Sequence, residues 1–205
     1  MQTMRKAGTK IFSWVLLLLL LAGLLTGCGT NDQGNSADGQ SVLRYGSGDY
    51  TAINPALYEH GEINALLFAG LTAHNEKNEV VPGLAEDWSF DEKTCTYTFS
   101  LRDGLTFHDG EPLTSADVKF TLEAILDEQN GSEIVSNYTD IAEIRCPDAL
   151  TVEIRLTQPS AAFPDYMTIG ILPEHLLAGK DLTTCAFNQN PVGAGPYRLK
   201  DWDMG

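Results

Sequence analysis

The chain has 205 residues, a formal net charge of −15 and 43% hydrophobic residues. Because nucleic-acid phosphates require a basic surface, this acidic composition excludes nucleic-acid binding. The four histidines are scattered singly, and no CxxC, CxxxH or HExxH motif occurs. We therefore predict no metal site and no bound cofactor.

The first residues have the pattern of an export signal. Three basic residues and no acidic one precede an apolar run, Ile11–Leu25, which is shorter than the ~20 residues of a bilayer span. The run ends in LTGC, which resembles the bacterial lipobox. This resemblance implies that residues 1–27 are cleaved and that Cys28 receives a lipid anchor. The alternatives are a plain signal peptide or an uncleaved anchor, in which Cys28 is incidental.

Residues 28–41 are rich in Gly, Ser, Asn and Asp and have few apolar side chains to bury. Such a composition is typical of a flexible tether. With lipid on Cys28, we expect the protein at the extracytoplasmic face of the cell membrane. The tether then separates the folded part from the lipid.

The globular part begins at Val42, where VLRYG, residues 42–46, predicts a short strand. The next segment, GSGDYTAINPALY, is full of turn-forming residues and is predicted to be a loop. Tyr50, Thr51 and Asn54 in this loop are our candidate ligand contacts. The alternative is a surface turn that Asn and Asp side chains hold by local hydrogen bonds.

Hydrophobic periodicity predicts the next elements. Apolar residues at helical spacing predict a helix over residues 62–69, which Gly70 ends. In residues 94–101, TCTYTFSL, larger side chains alternate with Thr and Ser, which predicts a strand with one buried face. His108 and Asp109 have the composition of an acid–base pair, but we interpret them as part of a turn.

A second helix is predicted with Thr114 as its N-cap and Asp117 at the capping-box position. It carries an apolar stripe and ends near residues 129–131. Two more alternating segments, residues 141–145 and 150–156, predict strands joined by a turn.

The remaining predictions concern the cysteines and the last elements. Cys95 and Cys146 stand near strand starts; they pair if those strands are neighbours, or else they are buried small side chains. Pro173 is predicted to start a short helix. Residues 197–202 predict a strand, and we interpret Trp88 as a packing residue.

Five blocks in this order resemble one family, the extracytoplasmic solute-binding proteins of peptide and nickel ABC transporters (family 5, the oligopeptide/dipeptide-binding type). The resemblance covers nearly everything after Val42, and Ala194 replaces a usual Thr of the last block. The blocks are VVPGLAEDW (80–88), YTFSLRDGLTFHDGEPLTSADVKFTLE (97–123), TVEIRLTQPSAAF (151–163), ILPEHLL (171–177) and PVGAGPYRLKDW (191–202).

The resemblance implies an α/β fold of the class II periplasmic-binding-protein type, with two lobes and an extra subdomain. On that comparison, residues 42–57 begin lobe I, residues 58–184 form the extra subdomain and residues 185–205 return to lobe I. The second lobe is missing, so we expect a truncated chain that folds poorly alone.

The function implied is that of a lipid-anchored, monomeric receptor of an ABC importer. It captures oligopeptides or dipeptides outside the membrane and delivers them to the permease. The alternatives are a receptor of the same type for nickel or another small solute and, less favoured, a secreted hydrolase or a structural lipoprotein. Since no G-x-S-x-G motif occurs, we predict that the protein is not an enzyme.

Overall fold

A computed structural model describes residues 41–48 and 50–203 of the chain. The chain divides into two units, one up to Ser47 and one from Gly48 onward. In the described part of the first unit, residues 41–47, there is neither helix nor strand. The strand predicted at residues 42–46 is therefore wrong. A strand requires a partner strand for its backbone groups, and the described strands of both sheets come from residues 72–156.

The second unit contains four helices and six strands among its described residues. The helices are α1 (Gly61–Leu67), α2 (Ser115–Leu126), α3 (Phe163–Tyr166) and α4 (Glu174–Leu177), and three short 3-10 turns lie at Glu128–Asn130, Val135–Asn137 and Ala186–Gln189. The strands are β1 (Thr72–His74), β2 (Val80–Pro82), β3 (Ala85–Asp91), β4 (Thr96–Leu101), β5 (Ile141–Asp148) and β6 (Thr151–Leu156). No helix of the described residues is both long and apolar enough to cross a bilayer.

A four-stranded antiparallel sheet of order β3-β4-β6-β5 organises this unit, and β1 and β2 form a separate antiparallel pair. The alternation predicted for β4 is confirmed, since Tyr97, Phe99 and Leu101 are buried and the intervening residues are half-buried. In register with them, Val152 and Ile154 of β6 are also buried. This face of the sheet belongs to the hydrophobic core.

Helix α2 begins as its sequence predicts. Thr114 Oγ1 accepts a hydrogen bond from the Ala116 amide at 3.3 Å, and the Asp117 carboxylate accepts one from the Thr114 amide at 2.8 Å. These bonds satisfy amides that a helix start would leave unpaired. The helix contacts β5 and β6, and its buried stripe includes Val118 and Leu122.

Two predictions in the sheet region need correction. Strand β6 lies between β4 and β5, so Cys95 and Cys146 are not on neighbouring strands. Both are free and half-buried thiols, which contradicts both the disulfide and full burial. Trp88 is a packing residue as predicted, because it is half-buried against the core with its ring 6.2 Å from that of Phe99.

The strand predicted at residues 197–202 is also wrong. The Gly195 and Tyr197 amides each donate a 3.0 Å hydrogen bond, to the carbonyl oxygens of Leu67 and Leu66 respectively. These backbone groups therefore bind the end of helix α1 rather than a strand. The returning segment is thereby held against the element that lines the cleft described below.

Candidate ligand-binding site

A cleft of about 600 Å³ lies beside helix α1. Its walls include the aromatic side chains of Tyr58, Phe68, Tyr138 and Tyr166. Polar groups interrupt this apolar surface, and they include Glu59, Asn64, His74, Asn137 and Asp165. A cleft of this size with a few converging polar groups is typical of a small-ligand site.

Close backbone contact forms one side of the cleft. Gly70, which follows α1, lies so near residues 167–168 that a Cβ atom there would be 2.5 Å from the Met167 carbonyl oxygen. A side chain at this position would force the two segments apart. The prediction that Gly70 ends the helix is wrong, because α1 ends at Leu67 with Phe68 as its C-cap. Gly70 has a packing role instead.

Asn64 is the polar residue of the cleft that the protein leaves incompletely bonded. Its Nδ2 donates to the carbonyl oxygen of Tyr58 at 3.0 Å. Its Oδ1 is buried and has no hydrogen-bond partner among the described residues. An unpaired buried acceptor costs about 1–3 kcal/mol, so a hydrogen-bond donor that reached this atom would stabilise the folded protein.

Two other polar contacts are formed by residues of the cleft wall. His74 Nε2 lies 3.1 Å from Asp165 Oδ1, which joins β1 to α3 at the rim. The Tyr138 hydroxyl donates to the carbonyl oxygen of Tyr166 at 2.7 Å. Burial raises the pKa of Tyr138, and the neighbouring Tyr166 raises it further, so Tyr138 stays neutral at physiological pH.

The structure places the three predicted loop residues differently. The Tyr50 ring lies 4.2 Å from that of His60, which in turn stacks on Tyr58 at 5.6 Å. Tyr50 therefore connects to a wall of the cleft through His60. Thr51 is exposed, and its carbonyl oxygen accepts a 3.3 Å hydrogen bond from Gln189.

Asn54 is fully buried. Its Oδ1 accepts from the Ala56 amide at 3.1 Å, and its Nδ2 donates to Asn188 Oδ1 at 3.2 Å. These bonds are those of a turn held by Asn side chains, the alternative considered for this loop. Cys28 lies outside the described residues.

His108 and Asp109 do not bond to each other. His108 Nε2 lies 2.9 Å from the Gly195 carbonyl oxygen, and His108 Nδ1 accepts from the Gly193 amide at 3.4 Å. Asp109 Oδ2 instead lies 2.8 Å from Nε2 of His175 in α4. The pair of neighbours thus binds two different segments, which agrees with the turn interpretation and not with an acid–base pair.

The electrostatics of Asp109 follow from this contact. Burial alone would raise the pKa of the Asp109 carboxyl. The hydrogen bond and the charge of His175, together with the Glu111 amide, outweigh burial and hold this pKa below its usual value. Asp109 is therefore ionised at neutral pH and serves to hold α4 against the turn.

No group of three or more His, Cys, Asp or Glu side chains suited to a metal ion occurs in residues 41–48 and 50–203. Sequence reasoning missed Asn64, Tyr138 and the His74–Asp165 pair. The one available signal was an amide side chain among the apolar residues Ile63, Leu66 and Leu67 of α1. The other residues meet only through tertiary contacts.

Comparison with known proteins agrees with the sequence resemblance. Protein XP55 of Streptomyces lividans is 33% identical over 178 residues, which cover 86% of this chain and 33% of the relative. The chain thus spans about a third of this relative's length.

Two solved structures match the fold. NikZ from Campylobacter jejuni in complex with Ni(L-His) matches with a TM-score of 0.73 and 39% identity, covering 76% of this chain and 32% of NikZ. The oligopeptide-binding protein AppA from Bacillus subtilis, in complex with a nonapeptide, matches with a TM-score of 0.72 and 28% identity, covering 77% and 33% of the two chains. These matches confirm the predicted class II periplasmic-binding-protein fold, of which this chain contains a part.

The family comparison reaches the same result from sequence. The profile of bacterial extracellular solute-binding proteins, family 5 middle region, matches residues 79–205. This match covers more than half of the chain. The chain therefore belongs to family 5 of the bacterial extracellular solute-binding proteins, the binding proteins of ABC transporters.

Proposed function

We propose that this chain is part of the substrate-binding component of an ABC importer and that its ligand is an oligopeptide or dipeptide. The observation that supports a ligand role is the cleft beside α1, where the buried Asn64 Oδ1 has no partner in the described part of the protein. A peptide offers N–H donors to such an acceptor. Family membership supports a binding role rather than catalysis.

A nickel complex is the second candidate ligand. The similarity to NikZ, solved with Ni(L-His), favours it. Peptides are preferred because several relatives are named as peptide-binding proteins, among them AppA of Bacillus subtilis.

Thermal unfolding of the full-length gene product distinguishes these candidates. We expect short peptides to raise the melting temperature, because a ligand that binds only the folded state stabilises it by mass action. Nickel with histidine is tested in parallel, and histidine alone is the control. Stabilisation by the nickel complex but not by peptides would replace the peptide proposal, and hydrolysis of a peptide without stabilisation would indicate an enzyme.

We also propose that Cys28 carries the lipid that anchors the receptor outside the cell membrane beside its permease. The LTGC sequence supports this proposal. Mass spectrometry of the mature protein from its native membrane should find diacylglycerol on Cys28, whereas a Cys28→Ser variant should lack the lipid and keep residues 1–27 uncleaved. A mature N-terminus elsewhere would contradict it.

Domain boundaries and loop contacts complete the proposal. Residues 42–57 and 185–205 are assigned to lobe I, and residues 58–184 to the extra subdomain of a monomeric receptor. Tyr50 and Thr51 remain the proposed contacts of the loop with ligand. Asn54 is proposed to hold the conformation of the loop and not to contact ligand, since its amide is fully buried and bonded within the protein.

A further inference from the structure

We infer that the cleft beside α1 binds a positively charged group of the ligand, an ammonium or guanidinium. This inference rests on the proposed function, because it specifies which part of a peptide enters the cleft. It concerns the chemistry of one subsite and does not depend on the groups that bind the rest of the ligand.

The first observation is an acceptor without a partner on a residue that lines the cleft. Asn64 Oδ1 is buried without a partner, and it can only accept. An ammonium or guanidinium supplies several N–H donors. Hydrogen bonds to a charged partner contribute about 1.5–3 kcal/mol, more than those between neutral groups.

The second observation is the charge around the cleft. The side chains that line it include the carboxylates of Glu59 and Asp165 and no Lys or Arg among the described residues. The Glu133 carboxylate is also close, since it accepts a hydrogen bond from the Glu59 amide at 3.2 Å. The other titratable groups of the lining are His74, which is paired with Asp165, and three tyrosines.

The third observation is the aromatic wall. Tyr58, Phe68 and Tyr166 line the cleft, and the faces of aromatic rings attract cations. An aliphatic stem of a lysine or arginine side chain also packs on such a surface while its charged end reaches polar groups. The cleft volume of about 600 Å³ is sufficient for one such side chain.

An anionic group meets a less favourable charge in the same space. It would face the carboxylates of Glu59 and Asp165, and Asn64 Nδ2 already donates to the Tyr58 carbonyl oxygen. Like charges repel each other, and salt screens the exposed part of this repulsion. The cleft therefore discriminates by charge as well as by size.

The test uses the full-length receptor, freed of bound ligand by unfolding and refolding, in calorimetric titrations. The probes are alanine tetrapeptides in which lysine, norleucine or glutamate replaces alanine at each position in turn. At one position, we expect the lysine peptide to bind at least about tenfold more tightly than the norleucine peptide. The glutamate peptide should bind most weakly there, and salt should reduce the preference.

Variants assign the preference to this cleft. Glu59→Gln removes an exposed charge and is not expected to affect folding, and Asn64→Leu removes the acceptor. Each should weaken binding of the lysine peptide several-fold and reduce its advantage over the norleucine peptide. Glu123→Gln, an exposed acid in α2 paired with Lys119, is the matched control and should change neither.

Two results overturn the inference. The first is that lysine and norleucine peptides bind equally at every position, and the second is that Glu59→Gln and Asn64→Leu leave a lysine preference intact. Either result would refute the cation subsite and would leave the proposed peptide binding unaffected. If no peptide binds the wild-type receptor, the proposed function fails together with the inference.

Discussion

Two parts of this protein bury polar side chains in opposite ways. At the start of α2, the Asp117 carboxylate accepts hydrogen bonds from the Thr114 amide at 2.8 Å and the Glu174 amide at 3.0 Å. In the cleft, the buried Oδ1 of Asn64 has no partner in the described protein. The first arrangement joins two helices, and the second leaves hydrogen-bonding capacity for a ligand.

This difference distinguishes polar side chains that stabilise the fold from polar side chains that are available to bind a ligand. Buried polar groups that hold a fold together are fully bonded within it. Substitutions at the α2 start should therefore reduce the free energy of unfolding, whereas substitutions of Asn64 should reduce affinity for ligand.

Asp117→Ala should have the largest effect, a loss of about 3 kcal/mol in the free energy of unfolding. The substitution removes the capping box, which contributes about 1 kcal/mol, and leaves the Glu174 amide without its partner at about 1–3 kcal/mol. Urea denaturation of the full-length receptor measures it. The control is Glu123→Ala on the exposed side of α2, which should change stability by less than about 0.5 kcal/mol. Equal effects at the two positions would show that the hydrogen bonds of Asp117 do not stabilise the fold more than an exposed acid does.

Thr121→Val tests a second fully bonded group near α2. The buried hydroxyl of Thr121 donates to the Asp117 carbonyl oxygen at 2.7 Å and accepts from the Leu172 amide at 2.9 Å. The nearly isosteric valine leaves that amide unpaired, so we expect a loss of about 2 kcal/mol in urea denaturation. Thr121→Ser keeps the hydroxyl and should cost about 0.8 kcal/mol for the lost methyl group. A more stable Thr121→Val protein would contradict the prediction.

The contact between Asp109 and His175 should have a smaller effect that depends on pH. Because the folded-state pKa of Asp109 is lowered, its contribution is complete above the unfolded pKa of about 3.9 and is lost as pH falls through the folded pKa. Both side chains are about a third exposed, so we expect less than about 1 kcal/mol. Melting temperatures between neutral pH and about pH 2 should fall less steeply for Asp109→Asn than for wild type. Parallel curves would show that the pair does not contribute.

Local signals in the sequence were sufficient to predict the start of α2, although the helix ends at Leu126 and not near residues 129–131 as predicted. The N-cap at Thr114 and the acid at Asp117 lie within one turn of each other, so their bond is encoded locally. Strand β4 was predictable because alternation records which face is buried. The strands predicted at residues 42–46 and 197–202 were wrong, because a short apolar pattern does not reveal whether a partner strand is available.

The cleft could not be predicted in this way. Asn64 and Asp165 are distant in sequence, and only the packing of α1 and α3 around the same space brings them to one cleft. His108 and Asp109 show that adjacent positions in the sequence do not predict a contact either. They bond to Gly195 and His175, respectively, and not to each other. Sequence neighbours in a turn point in different directions, and their partners are set by tertiary structure.

Asn64→Leu should have the smallest effect on stability and the clearest effect on function. The change loses the 3.0 Å bond to the Tyr58 carbonyl oxygen, a net contribution of about 1 kcal/mol, but it also removes an unpaired buried acceptor of comparable cost. We therefore expect the free energy of unfolding without ligand to change by less than about 1 kcal/mol, as measured by urea denaturation. Peptide-induced stabilisation should fall in the same variant, because the acceptor is then missing from the cleft. A large loss of stability with normal ligand stabilisation would make Asn64 a structural residue like Asp117, and the distinction between the two regions would no longer hold.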